Sequence, residues 1–402
     1  MKAGIITYHF PYNSGAALQS LALQTVLSSM GHEVSILNYR PWYHQNICTP
    51  NKNVVYIMQE SMEQEKAAGT DFLHRMVHAG RAGLAAAKFN MSGSDSFKIS
   101  EQKFGSFVKR FHHETQVCRT FEDLKRIAGD YDVLFSGSDQ LWNTNLTKGQ
   151  FDPAYFLTFA EPHTKCVTYA MGVNFRDDVV TNRQLAELIR GLDCISLREE
   201  KFIRTIRRAM PSAKIRQDID PTLLLQKEDY APFEAEPNEF MGQPYIMTYT
   251  MGDGSQKYVY AAAKQLSEKL GIPVRDITGN PLRKEKVFGV ECVKGGPDEF
   301  LSYIKNAAYI VTNSFHGTAF SLIYGKQFVT VPHLTTGNRV TDLLKRVGLQ
   351  GRICRSEEEC LERIEVPVDH TEAQERLAVL REASMDYLRD VMSGKKETST
   401  ED

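Results

Sequence analysis

Ile5-Ile6-Thr7-Tyr8, then Pro11-Tyr12-Asn13-Ser14-Gly15, then a run from Ala16 to Met30 that stops at Gly31, then Val34-Ser35-Ile36-Leu37: this stretch decides the fold. A short apolar run reads as a strand, and the turn formers after it read as a loop. Leu18, Leu21, Ala22 and Val26 recur at helical spacing, and Gly31 suits the left-handed position that ends a helix. The whole is a β-loop-α-Gly-β unit. The plan recurs at Tyr245-Ile246-Met247-Thr248-Tyr249 and Gly252-Asp253-Gly254-Ser255. A helix follows from about Lys257 to Leu270, with Tyr260, Ala261, Leu266 and Leu270 in period, then Gly271 and Val274-Arg275-Asp276-Ile277. Any two βαβ units share this much, but the chain has 402 residues, enough for two domains of about 150–200 residues, each opened by one unit.

More alternation fills both halves. Apolar runs stand at Asp132–Phe135, Lys165–Ala170, Asp193–Leu197 and Lys214–Ile219, and again at Ala308–Thr312 and Gln327–Val331. Short apolar runs between helices predict parallel sheets buried on both faces. The expected architecture is α/β: two Rossmann-like domains with parallel sheets facing a central cleft. Residues 1–230 form the first domain, with a helical insertion at about 45–105, and residues 240–365 the second. A helix over 366–392 returns to the first domain, and 393–402 is a disordered tail. The break falls between Leu225 and Gln243. Thr371 and Gln374 have the spacing of a capping box for the terminal helix.

Composition excludes some classes. Hydrophobic residues at 42% and charged residues at 24% rule out a disordered or collagen-like chain. Lys+Arg 48 against Asp+Glu 50 argues against a general polyanion binder, so no nucleic-acid partner is expected. No run approaches the roughly 18 apolar residues of a spanning helix, and the N-terminus turns polar too soon for a signal peptide. Seven scattered cysteines without a C-x-x-C pair suggest neither disulfides nor structural zinc. Cys166 and Cys194 read as buried, inert thiols, and the compartment as the cytoplasm. Phe72–Lys88 is amphipathic and basic; a surface helix packed on the domain is preferred over contact with an anionic membrane. Lys201, Arg204, Arg207 and Arg208 offer the same choice between a solvated face and peripheral membrane contact.

In parallel α/β sheets ligands bind beyond the carboxyl ends of strands, where helix N-termini meet. Several loops therefore matter. Asn13-Ser14-Gly15-Ala16 offers amides to an anion or a sugar hydroxyl, or is an ordinary cap. Ser138, Asp139 and Trp142 follow the strand ending at Phe135. Asp139 is a candidate base for a sugar hydroxyl, and Trp142 either lies against a sugar ring or plugs the core. His316 stands at a strand-to-helix turn, with Gly317 and Thr318 amides nearby, and can deliver a proton near neutral pH. Arg198 follows a strand and either forks onto an anion or pairs with Glu199 or Glu200. Arg339 opens a later helix and can add a second anion contact. Asp220-Pro221-Thr222 reads as a turn. No P-loop, G-x-G-x-x-G after the first strand, H-E-x-x-H or G-x-S-x-G is present, and no metal spacing.

Six motifs in order resemble the polysaccharide pyruvyl transferase family. They are Asn13-Ser14-Gly15-Ala16-Ala17-Leu18-Gln19, Gly137-Ser138-Asp139-Gln140-Leu141-Trp142-Asn143, Ile195-Ser196-Leu197-Arg198-Glu199, Asp220-Pro221-Thr222, Ser314-Phe315-His316-Gly317-Thr318 and Asn338-Arg339-Val340. The resemblance implies a fold like that of the GT-B glycosyltransferases. It also implies transfer of the enolpyruvyl carbons of phosphoenolpyruvate to two hydroxyls of one sugar, commonly O4 and O6 of a hexose. The product is a cyclic ketal, and phosphate is released. The acceptor is a cell-surface polysaccharide precursor, often lipid-linked.

The site expectation follows from these readings. His316 protonates the donor at its methylene carbon or bridging oxygen, and Asp139 is the base. Arg198, Ser314, Gly317, Thr318 and Arg339 hold the donor, while Asn13, Gly15, Gln19, Ser138 and Trp142 hold the acceptor. No cofactor or metal is expected beyond the donor substrate. One departure is plain: the family pattern carries an Arg two places before the His, where this chain has Ser314. The donor's charge is then met by Arg339 and Arg198, or the donor differs. The alternative function is a GT-B glycosyltransferase using a nucleotide sugar, and a third is a non-catalytic sugar- or lipid-binding protein.

Overall fold

A computed structural model of the chain describes residues 1–10, 12–44, 54–67, 71–92, 94–175, 178–236, 242–252, 254–333 and 337–394. Strand β1 (Lys2–Ile6) leads through a loop to the helix Ser14–Ser29 and then to β2 (Glu33–Ile36), parallel to β1 with Ile5 opposite Ile36. Beyond them come β3 (Val133–Ser136), the short β4 (Trp142–Asn143), β5 (Lys165–Thr168), the short β6 (Val173–Asn174), β7 (Ile195–Leu197) and β8 (Ile215–Gln217). The first sheet runs β2-β1-β3-β5, every pair parallel. Bridges Val167–Cys194 and Met171–Leu197 lay the β7-β8 pair along its far edge. The strands are apolar on both faces because helices cover both: all four residues of β3 are buried.

The second unit repeats the first: β9 (Ile246–Tyr249), the helix Gln256–Leu270 and β10 (Val274–Thr278), parallel to β9. With β11 (Lys286–Val287), β12 (Val290–Lys294), β13 (Tyr309–Thr312) and β14 (Gln327–Thr330), the sheet order is β11-β12-β10-β9-β13-β14, and only β11–β12 is antiparallel. Gly31 and Gly271, which end the two matching helices, take φ of +85° and +68°. Asp253, in the loop of the second unit, and residues 237–241, within the expected break, lie outside the described residues, as do Cys48 and the tail from residue 395.

The helix Ser14–Ser29 is buried on nearly all sides, not on a single stripe. Its surroundings explain this. One apolar cluster runs from Leu18 and Leu21 through Leu223 and Tyr230 to Phe300 and Phe320, so the helix is packed between the halves. The insertion forms three helices, Val54–Ala67, Phe72–Ser92 and Ser94–Phe111. The last straps the halves together: Lys103 Nζ donates to Glu299 and to the Lys294 carbonyl. The terminal helix His370–Met392 does return to the first sheet. Tyr387 donates to the Thr168 carbonyl at 3.0 Å, and Ser384 Oγ accepts from Ile219 N at 3.2 Å. It is capped by Asp369, which accepts from Thr371 N at 2.9 Å, and not by Thr371, which already lies inside the first turn. Among the described residues no helix is long and apolar enough to cross a membrane.

Candidate functional site

Each sheet has a point where the chain reverses direction across it: between β1 and β3, and between β9 and β13. The loops leaving these four strands line one cavity of about 400 Å3, of which Tyr8, Asp139, Gln140, Met251, Asn313, His316 and Arg339 are walls. Such a crevice beyond strand ends is where parallel α/β sheets take ligands.

His316 is aimed by a tightly bonded turn. Thr312 Oγ1 accepts from Ser314 N at 3.0 Å, and Ser314 Oγ caps the next helix by accepting from Gly317 N at 3.4 Å. That helix begins at Phe315, so His316 lies in its first turn and points across the cleft. There it packs on Gly15: a Cβ on Gly15 would fall 2.1 Å from His316 Nδ1. Only glycine permits this approach. Gly15→Ala is expected to push the imidazole from its place and lower kcat/KM by about 10²-fold, with a modest loss of stability. A steady-state comparison at matched folded fraction checks it.

The opposite edge of the ring, Nε2, is 3.7 Å from Asp220 Oδ2. That is longer than a hydrogen bond, and both side chains are buried there. Asp220 is buried and heavily bonded. Its Oδ2 accepts from Arg198 Nη1 at 2.6 Å and Ser138 Oγ at 3.2 Å, its Oδ1 from Thr222 N at 3.0 Å and Thr222 Oγ1 at 2.7 Å. Burial alone would raise this carboxyl. Contact with His316, and behind it the charge of Arg198, outweighs burial and holds Asp220 well below the usual carboxylate range. Asp220 thus stays ionised beneath His316.

Arg198 is buried too, with Glu199 Oε1 3.4 Å from its Nε and its Nη2 lacking a hydrogen-bond partner among the described residues. Its guanidinium lies 4.8 Å from the centre of the Phe315 ring, and that of Arg339 lies 5.8 Å from the same ring. Burial, and next the charge of Arg198, lower the Arg339 guanidinium to about 10. It remains protonated at neutral pH. The buried Arg198 thus repels Arg339 from behind the cavity wall, partly offset by Glu199, Asp139 and Asp220, and an anion beside Arg339 would relieve the repulsion.

Asp139 faces the same cavity from the first domain. Its φ is +69°, a left-handed conformation that costs a non-glycine residue about 1–3 kcal/mol. Gly172 N, donating to the Asp139 carbonyl at 2.8 Å, and Gln140 N, donating to Oδ1 at 2.8 Å, hold it there. Oδ2 accepts no hydrogen bond among the described residues.

The structure therefore brings Asn13, Asp139, Ser314, His316 and Arg339 to one cavity and corrects several other expectations. Trp142 is fully buried, stacked on Phe156 at 4.6 Å with Nε1 donating to the Tyr155 carbonyl, so its ring offers no face to a sugar. Gln19 is equally buried and donates to Thr7, Tyr8 and Ala16. Ser138 serves Asp220 and the Ala170 carbonyl. Asn13 Oδ1 caps its helix, accepting from Gly15 N at 2.9 Å and Ala16 N at 3.3 Å. Gly15 is spacing for His316. Gly317 N and Thr318 N are already bonded to Ser314, and Thr318 Oγ1 bonds Ser314 and Thr330, so neither residue greets an anion. The open donors of that first turn are the Phe315 and His316 amides.

Sequence reading missed Asp220 as more than a turn. Its motif was visible, but a residue contributed by the far end of the first domain to a histidine of the second leaves no spacing signal. Asn145, Asn174 and Gln140, amides on the first-domain wall, were missed as well. A second cavity of about 520 Å3 adjoins the first, sharing Asn13 and Met251, and is walled by Tyr12, Phe97, Tyr249 and Arg283.

The family model described as polysaccharide pyruvyl transferase matches residues 13–334. No curated protein matches. Among solved structures the chain is similar to a protein described as a UDP-N-acetylglucosamine 2-epimerase from Listeria monocytogenes. That likeness has TM-score 0.50 at 9% identity and covers 95% of this chain and 90% of that one. It is also similar to spinosyn forosaminyltransferase SpnP, at TM-score 0.47 and 13% identity over 98% and 97% of the two chains. The glycosyltransferase SnogD from Streptomyces nogalater gives 0.44 and 12% over 98% and 99%. At such identities the likeness is one of fold, the GT-B arrangement of two Rossmann-like domains about a cleft.

Proposed function

The chain belongs to the polysaccharide pyruvyl transferase family, and from that premise we propose that it transfers pyruvyl from phosphoenolpyruvate to two hydroxyls of one sugar in a cell-surface polysaccharide precursor. The product is a cyclic ketal, and phosphate is released. The observation that carries this reading is the pair Arg198 and Arg339 against Phe315, beside His316. A donor bearing both phosphate and carboxylate needs fixed cations and open amides, and Ser314 supplies no charge. Arg339 answers for it at the cavity wall, with Arg198 behind.

In the proposed reaction His316 delivers a proton to the donor's methylene carbon, leaving C2 electron-poor. A sugar hydroxyl attacks C2 and gives its proton to Asp139. The bond from C2 to the phosphate oxygen breaks, phosphate leaving with the electron pair, and the second hydroxyl closes the ring at C2. Of the two hydroxyl protons lost, one replaces the proton given to carbon and the other leaves with phosphate. Asp220, ionised, faces the imidazole edge that turns positive when the ring carries its proton. We assign no cofactor, since these steps call only for proton transfer and fixed charge. The acceptor sugar is assigned to the first-domain wall of Tyr8, Gln140, Asn145 and Asn174, with the rest of the glycan in the adjoining cavity.

Thermal denaturation with separate ligands tests the donor. Phosphoenolpyruvate alone should stabilise the protein, by the mass-action amount its affinity sets. Stabilisation only by a nucleotide sugar would favour glycosyl transfer, and stabilisation only by glycan a binding protein. Arg339→Ala should raise KM for phosphoenolpyruvate by about 10²-fold, the loss of one charge-assisted contact to an anion, with kcat changed less. An unchanged KM would remove Arg339 from the donor site.

A further inference from the structure

Glu199 is a buried acid beside the cleft that the proposed steps leave without a task. It is 3% exposed. Its Oε1 lies 3.4 Å from Arg198 Nε, and its Oε2 has no hydrogen-bond partner among the described residues. A buried carboxylate oxygen is costly without a donor, so it calls for one. A small cavity of about 20 Å3, room for a single water, is lined by Glu199 together with Gln140, Val173, Asn174, Asn338 and Arg339. Gln140, Asn174 and Arg339 also wall the main cavity. Glu199, Lys201 and Asn338 also wall an open cavity of about 440 Å3 on the other side. Glu199 thus stands between cleft and surface, at a space one water wide. Burial raises its carboxyl above the ordinary carboxylate value, and Arg198 and then Arg339 oppose this without cancelling it. Around the open cavity Lys201, Arg204 and Lys345 stand against Glu200 and Asp342. A carboxyl raised in this way exchanges its proton closer to neutral pH than an ordinary one.

We propose that Glu199, through one water in the small cavity, carries the proton of the second sugar hydroxyl to the departing phosphate. It serves ring closure, the half of the reaction that His316 and Asp139 do not. The second hydroxyl oxygen bonds to C2, the bond from C2 to the phosphate oxygen breaks, and phosphate takes the electron pair. The hydroxyl proton passes at the Gln140 and Asn174 wall to the water, which yields one of its own to Glu199. Glu199 returns a proton by the same water to the phosphate held at Arg339. The carboxylate and the water end as they began, and the proton leaves with phosphate. Glu199 touches no substrate; it acts by holding the water and by changing charge beside it. The assignment rests on the proposed pyruvyl transfer.

Mass spectrometry of quenched reactions of the full chain with phosphoenolpyruvate and lipid-linked oligosaccharide tests it. With Glu199→Gln, attack by the first hydroxyl should proceed and closure should stall. The glycan should then gain the whole donor, phosphate included. Phosphate release should be about 10²-fold slower, with KM for phosphoenolpyruvate no higher than the parent's. The parent's turnover should fall on the acid side as Glu199 takes up a proton, along a limb above the ordinary carboxylate value of about 4, and the variant should lack that limb. Val173, buried in the wall of the small cavity, gives a second variant. Val173→Ile fills that space with Glu199 in place and should stall closure in the same way, and it decides alone should Glu199→Gln fail to fold. Near-parent phosphate release by either variant, or an unchanged acid limb in Glu199→Gln, would overturn the proposal. So would weakened donor binding without the adduct, which would leave Glu199 only the support of Arg198. A parent that makes the ketal keeps the transfer reading whatever the variants do, and a parent that makes none overturns both.

Discussion

His316→Ala should lower kcat for phosphate release from phosphoenolpyruvate by about 10²–10⁴-fold, the range for loss of a positioned general acid. The fold should survive. His316 touches the first domain through Gly15 and Asp220, and Asp220 keeps Arg198, Ser138 and Thr222 when the imidazole is gone. A thermal midpoint near that of the parent, together with lost turnover, is the expected pair of results. Near-normal phosphate release by this variant would exclude His316 as the acid.

Asp220→Asn should cost both activity and stability. The amide keeps the shape but withdraws the charge that faces Arg198 at 2.6 Å, and both partners are buried. Breaking a buried ion pair by removing one partner costs about 3–5 kcal/mol, which urea denaturation would register as a lower midpoint with an unchanged slope. The pH dependence gives a second, independent reading. Asp220 is held below the ordinary carboxylate range in the folded chain. It therefore contributes stability that is fully present above the unfolded value of about 4 and is lost as pH falls from there toward the folded value. The variant should lack that part of the acid-side decline. An acid limb as steep as the parent's would deny Asp220 its place in the network.

Much of this architecture was legible from residues. The two βαβ units declared themselves because apolar strands, helical period and closing glycines are local features, and so did the positions of Asp139, His316 and Arg339 after strands or at helix starts. What stayed hidden was long-range. Trp142 reads like a sugar platform until Phe156 is seen stacked on it. Gln19 reads like a polar contact until Thr7 and Tyr8 take its amide. Gly317 and Thr318 look like anion donors because the motif places them at a helix start, yet Ser314 as cap has already claimed their amides. Asp220 was passed over for the opposite reason. Its local role, an Asx turn onto Thr222, is real, while its partner His316 is 96 positions away in sequence.

Pyruvyl should move from phosphoenolpyruvate to a glycan in the cleft at His316. Mass spectrometry of lipid-linked oligosaccharides incubated with the protein and phosphoenolpyruvate tests this most directly. The predicted result is a glycan heavier by one cyclic pyruvate ketal, one phosphate released per product, and neither with His316→Ala. A glycan extended by a hexose only when a nucleotide sugar is supplied, with phosphoenolpyruvate untouched, would contradict it.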